Sequence, residues 1–289
     1  MLVMAEMSEA IDHVTVIEPT RGWSAPRWRE LWEYRDLLRI LVERDFSSRY
    51  RQTLLGPLWF IVQPLLTTLM FTLIFGKMAG IPTDGVPGPL FYLCGLLGWS
   101  YFAQTITAGG LTFINNSHLF SKVYFPRIVV PAAGAVSNLF ATGLQLIPVA
   151  LFYAWFAWRG AALHPGWAGL LLVPAAMLQL VILALAVSLW MSAASAKYRD
   201  LVHLNQFLVQ LWMFATPIFY PMSHVPARWQ WLLWCNPVAA PVEMLRLGLL
   251  GHGTLNPPAA AASAAGTLAL LLTGWMFFSR AERTVTDSA

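Results

Sequence analysis

The chain is poor in charge, nearly without cysteine, and lacks any motif that holds a nucleotide or a metal. Asp, Glu, Lys and Arg make up 11% of its 289 residues, where a soluble domain carries roughly a quarter. That shortfall excludes the ordinary soluble globular class. Two cysteines, Cys94 and Cys235, exclude a disulfide scaffold and leave a single bridge open. No G-x-x-x-x-G-K-[ST] loop is present, so ATP is not bound in that way. The histidines at 13, 118, 164, 203, 224 and 252 have no ligand spacing. Asp200 and His203 read as a solvated loop pair and not as a catalytic dyad. The net charge of +4 is spread beside apolar stretches and forms no basic soluble face, so nucleic acid is not an expected partner. There is no internal repeat and no linker. A polar segment, 1–32, precedes one membrane domain, 33–289. With Glu6, Glu9, Asp12, Glu18 and Glu30, that segment is expected to be cytosolic, largely disordered, and not a cleavable signal peptide.

What is present is apolar surface: 57% hydrophobic residues and a mean hydropathy of +0.59. Six stretches stand out, at 54–75, 90–114, 128–156, 170–194, 204–220 and 259–278. The first would rise about 33 Å as a helix, enough to cross a hydrocarbon core. The expected fold is therefore an all-α membrane protein with six transmembrane helices. None of the six has an ionisable residue in its middle. An ion-coupled carrier needs one, because a proton or sodium ion requires a site in the low-dielectric interior. The driving energy is thus expected from outside the chain. Fourteen of the 18 Lys and Arg fall on one side when the N-terminus is placed in the cytoplasm, which leaves both termini inside.

Residues 33–43 precede the first span and sort by a 3.6-residue period. Tyr34, Leu37, Leu38, Ile40, Leu41 and Val42 share one side; Arg35, Asp36, Arg39 and Glu43 take the other. This is the pattern of a helix in a membrane interface. Between the fifth and sixth stretches, residues 221–258 are too long for a turn and too apolar for a soluble loop. Two short helices fit there, 228–235 and 238–250, separated by Asn236-Pro237. They either re-enter the outer leaflet or lie on it as an aromatic belt. The inner loops 115–127 and 196–201 carry aromatics that a plain loop does not need, which favours docking surfaces.

The sequence resembles the permease subunits of ABC-2 type exporters of polysaccharides: O-antigen, capsule and teichoic acid. The matching pieces are Arg44-Asp45, Arg49-Tyr-Arg-Gln-Thr-Leu-Leu-Gly-Pro-Leu-Trp59, Gln63-Pro64, Gly80-Ile-Pro82, Lys122-Val-Tyr-Phe-Pro-Arg127, Tyr198-Arg-Asp200, Thr216-Pro-Ile-Phe-Tyr-Pro221 and Asn236-Pro237. The resemblance implies a non-catalytic homodimer of permeases in the bacterial inner membrane, with two separate ATP-binding subunits holding ATP and Mg. It implies an interface helix at 33–51. It implies ATPase coupling through Leu119, Phe120, Lys122, Tyr124, Phe125 and Arg127, and through Lys197, Tyr198, Arg199 and Asp200. It implies an outer gate at 226–250, with Trp229, Trp231, Trp234, Asn236 and Pro237. Its cargo would be a sugar polymer, most nearly O-antigen, on an undecaprenyl diphosphate lipid. A path along spans one and five would offer Trp59, Phe60, Gln63, Phe207, Gln210, Trp212, Phe214 and Tyr220. Aromatic faces stack on sugar rings there, unless they face lipid or pack between helices. Arg49 and Arg51 would meet the diphosphate, or serve only as positive-inside anchors. The alternative in another class is a glycan-modifying membrane enzyme, for which Glu243, His224 and His252 are the outer candidates.

Overall fold

A computed structural model of the chain describes residues 32–50, 53–120, 122, 125–163, 166–198 and 200–287, and every regular element among them is helical. The expected disordered segment falls outside these residues apart from Trp32, as do Arg51, Tyr124 and Arg199.

Helix α1 (Arg35–Tyr50) forms from the amphipathic stretch. Its outer side holds the exposed pair Arg39–Glu43 at 3.0 Å, one turn apart. Its apolar side is covered by protein. Leu41 and Val42 are buried with Phe125, Val129, Val130 and Ala133, and Tyr34, Leu37 and Leu38 pack beside them. Ile40, expected on that side, is 62% exposed, because one packing partner covers only a stripe of a helix. After a 3₁₀ turn, Gly56–Leu58, helix α2 (Trp59–Phe71) accommodates a buried Pro64. It widens into a π-helical segment, Thr72–Met78. At the transition the Thr72 hydroxyl donates to the Thr68 carbonyl at 2.8 Å, a side-chain bond that competes with the backbone ladder.

Helix α3 (Gly88–Gly110) is the centre of the bundle, buried along most of its length. Two short helices follow, α4 (Thr112–Asn115) and α5 (Ser117–Phe120). Next come α6 (Val129–Trp158) and α7 (Gly169–Lys197), and α3 packs on both. Helix α8 (Leu201–Phe214) is shorter. It is followed by α9 (Ala227–Trp234), α10 (Ala239–Leu250) and α11 (Pro257–Asp287). α10 ends on Gly251, whose φ of 72° supplies the left-handed cap. α11 packs chiefly along α7.

Among the described residues, four helical segments are long and apolar enough to cross a membrane: Gly56–Met78, Val129–Trp158, Gly169–Lys197 and Pro257–Arg283. They match the first, third, fourth and sixth expected stretches. The second and fifth fall on α3 and α8, outside that set. α3 carries Ser100, Gln104, Thr105 and Thr107, which a helix shielded by its neighbours tolerates, and α8 has only 14 residues. The pair expected at 228–250 forms with its break at Asn236-Pro237, but its halves differ. α9 buries nothing, while α10 is buried between α3 and α7. Cys94 is buried on α3 and Cys235 is exposed after α9; both are free thiols.

Small residues set the approach of α3 to α7 and α8. A β-carbon at Gly109 would fall inside the β-carbon of Ser188, and one at Gly110 would sit 2.7 Å from Asn205 Nδ2. Gly109→Ala is therefore expected to lower stability by roughly 1–3 kcal/mol through overpacking, read as a lower melting temperature of the detergent-purified chain. An unchanged melting temperature would contradict this close packing.

Candidate functional site

α3 carries a polar centre near each end, and the two are separated by the rise of Phe91 to Thr105, about 21 Å. In an apolar bundle each buried polar group must find its partner within the chain. The two centres satisfy that demand differently.

The first lies where α1 crosses α3 and α6. Arg49 Nη1 donates to Asn138 Oδ1 at 2.6 Å. Asn138 Nδ2 donates to Thr105 Oγ1 at 3.0 Å, and Ser188 Oγ donates to the Thr105 carbonyl at 3.0 Å. The network thus runs from α1 through α6 and α3 to α7. Asn138 is neutral, so it orients the guanidinium without cancelling its charge. Among the described residues Arg49 makes no ion pair. Beside it, Arg44 pairs with Asp45 at 2.8 Å and reaches Asn116 Oδ1 at 3.4 Å. These groups border a pocket of about 460 Å³ that Thr112 and His118 also line. An open, cationic, hydrogen-bonding pocket suits an anion with several acceptor oxygens.

The second centre is a buried ion pair. Arg246 Nη1 lies 2.6 Å from Glu243 Oε1, and both side chains are 2% exposed. Arg246 Nη2 donates to the Ile218 carbonyl at 2.9 Å, and its Cζ lies 3.9 Å from the Phe91 ring centroid. Glu243 Oε2 accepts from the Thr254 N–H at 3.0 Å and from its hydroxyl at 3.3 Å. The pair therefore ties α10 to α3, to the segment after α8, and to the loop before α11. Nearby, Asn236 fixes the break between α9 and α10. Its Oδ1 accepts from Trp212 Nε1 at 2.9 Å and from the Val238 N–H at 3.1 Å. Its Nδ2 donates to the Ala215 carbonyl at 3.1 Å and to Thr216 Oγ1 at 2.9 Å.

The expected site residues separate into groups. On the loops expected to face inward, Lys122, Lys197, Tyr198 and Asp200 are exposed. Leu119 and Phe120 are half-buried. Phe125 and Arg127 are buried, with the Arg127 guanidinium 5.1 Å above the Phe120 ring and donating from Nη1 to the Glu282 carbonyl at 3.1 Å. These two side chains support the loop from within and are not part of its exposed face. Along the expected path, Trp59, Gln63, Phe207, Gln210 and Phe214 are exposed on α2 and α8. Phe60 is buried and stacks on Phe46 at 6.0 Å. Trp212 is half-buried, edge-on to Phe102 at 5.1 Å. Tyr220 is half-buried, with its hydroxyl 3.5 Å from the Phe214 carbonyl. Phe71 and Phe75 meet Phe219, each at 4.8 Å, and so join the end of α2 to the segment after α8. On the expected gate, Trp229 and Trp231 are exposed, and Trp234, Asn236 and Pro237 are half-buried.

Sequence reasoning missed Asn138, Thr105 and Ser188, which are ordinary polar residues with no motif. It places Glu243 and Arg246 three apart on the second short helix of the outer connection, without showing that they are buried. Their signal was present: opposite charges three apart on an otherwise apolar helix.

The sequence profile of the ABC-2 type transporter family matches residues 36–250, from α1 through α10. The chain is 35% identical over 200 residues to the O-antigen export system permease protein RfbA of Myxococcus xanthus, covering 68% of this chain and 73% of that protein. It is 29% identical over 224 residues to a permease of the same name from Klebsiella pneumoniae, covering 76% and 82%. It is 24% identical over 210 residues to the polysialic acid transport protein KpsM of Escherichia coli, covering 72% and 79%.

Removing one partner of the buried pair strands the other charge. Arg246→Met and Glu243→Gln are each expected to destabilise the chain by about 3–5 kcal/mol. The double variant should lose less than the sum of the two. Thermal unfolding in detergent checks both statements; a single variant as stable as the parent would contradict the burial of the pair.

Proposed function

The chain belongs to the ABC-2 type transporter family, and from that premise we propose that it is the permease of an ATP-driven exporter of a lipid-linked polysaccharide. O-antigen is the favoured cargo. The observation that carries the reading is the 35% identity to an O-antigen export permease over most of both chains. A capsular polymer is the second reading, supported by the weaker similarity to a polysialic acid transport protein.

In this reading the chain spans the inner membrane six times with both termini in the cytoplasm, α3 and α8 supplying the second and fifth crossings. Two copies form the conduit, and the exposed aromatic and amide side chains of α2 and α8 face it. Stacking faces and neutral hydrogen bonds let a glycan slide without a tight stopping point. The pair α9–α10 re-enters from the outer face and forms the gate. α10 is the part anchored to the bundle, and α9, with its exposed tryptophans, is the part left to move.

The chain contributes no chemistry of its own. Two ATP-binding subunits, holding ATP and Mg, seat on the loop around Lys122 and on the turn at 198–200. Force applied there reaches the bundle through Phe125 and Arg127, which are packed against α1 and α11. The pocket at Arg49 takes the lipid diphosphate. Its guanidinium is oriented by Asn138 yet keeps its charge, so it can meet phosphate oxygens at the membrane face.

The test is a strain lacking this chain. It should make the lipid-linked polymer and retain it inside, and the wild-type chain should restore surface polymer. Arg49→Gln should lower surface polymer roughly tenfold or more, the loss expected for a charged hydrogen bond, while Arg49→Lys retains part of it. Full export by the Gln variant at equal membrane abundance would remove the pocket from the cargo route. Surface polymer in the deleted strain would overturn the permease reading.

A further inference from the structure

Beyond export itself, the basic ends of α7 and α11 enclose a groove that adjoins the proposed coupling turn at 198–200 and that no step above fills. It measures about 520 Å³ and is lined by Trp190, Ala193, Ala194, Lys197, Phe277 and Arg280, among others. The alanines make a low floor between bulky ends. Trp190 and Phe277 close the deep end, their rings 4.1 Å apart. The one polar atom of the Trp190 ring is already engaged, because Nε1 donates to Thr273 Oγ1 at 3.1 Å. What it turns to the groove is therefore apolar. Lys197 and Arg280 stand at the shallow end, both exposed. From Trp190 to Lys197 the helix rises about 10 Å, so the groove descends that far from its cationic rim.

We propose that this groove binds an anionic phospholipid of the surrounding bilayer, with its phosphate at Lys197 and Arg280 and an acyl chain over the alanine floor. The charge distribution selects this occupant. Among the described residues, no Asp or Glu lines the groove. A basic recess between helices at the cytoplasmic face is the setting in which anionic headgroups bind. The lipid-linked cargo fits less well. A glycan needs a polar lining, and the groove offers polar groups only at its rim. The assignment rests on the orientation proposed above, which puts these ends in the cytoplasm.

The experiment is native mass spectrometry of the full chain, purified in detergent and titrated with phosphatidylglycerol or phosphatidylcholine. The parent chain should retain phosphatidylglycerol in preference to phosphatidylcholine. Lys197→Gln with Arg280→Gln should weaken that binding by about 30-fold, at roughly one tenfold step or less for each cation removed. Ala194→Leu keeps both cations and is compatible with a helix; by filling the floor it should weaken retention of the same lipid. Equal retention of the two lipids by the parent would overturn the proposal, as would unchanged phosphatidylglycerol retention in both variants. So would unchanged retention with loss of the ATP-binding subunit in co-purification, which would assign the surface to a protein. Lipid retention is read without transport, so failure of the export reading leaves this result separately interpretable.

Discussion

This bundle depends on placing polar groups where water cannot reach them and satisfying most of them from within. The Glu243–Arg246 pair is the strongest case. Two full charges sit at 2% exposure, and a medium of low polarity makes each costly alone. The chain meets that cost with one ion pair, a backbone carbonyl from Ile218, two donors from Thr254 and the face of Phe91. Four separate stretches of chain are thereby held in one arrangement. α10 is buried for the same reason, since an exposed helix could not keep the pair dry.

α3 links this knot to the network of Arg49, Asn138, Thr105 and Ser188 at its other end. Glycines let it approach its neighbours closely, and Thr105 gives both its hydroxyl and its carbonyl to hydrogen bonds across the bundle. That end of the bundle is further stiffened by Arg127, which joins the loop before α6 to the end of α11. Rigid packing of this kind transmits displacement better than it absorbs it. That property suits the proposed drive from one face. The α9 hairpin arm and the exposed sides of α2 and α8 are the parts left without such ties.

Much of the architecture was legible in the residues. Long uncharged runs gave four membrane-length segments, and the charge sorting at 33–43 gave α1. Asn236-Pro237 marked a real break. Other features were hidden because they depend on partners distant in sequence. Ile40 has the right period for a covered face but no neighbour there. Phe125 looked like part of an exposed docking surface, yet Leu41, Val42 and Val129 enclose it. Asn138 and Thr105 acquire meaning only because Arg49, 89 residues from Asn138, reaches across. The ion pair is visible as a spacing on the second short helix, but its burial is not, since nothing local reports that α3 and α7 will close over α10.

The most direct test of the account is transport by the purified parts. The chain, reconstituted in liposomes with its proposed ATP-binding partner, would be given a lipid-linked polysaccharide on the face that partner occupies. The account predicts that polymer becomes accessible to a lectin on the opposite face only when ATP is hydrolysed. Equal appearance without ATP, or with an ion gradient in its place, would contradict it.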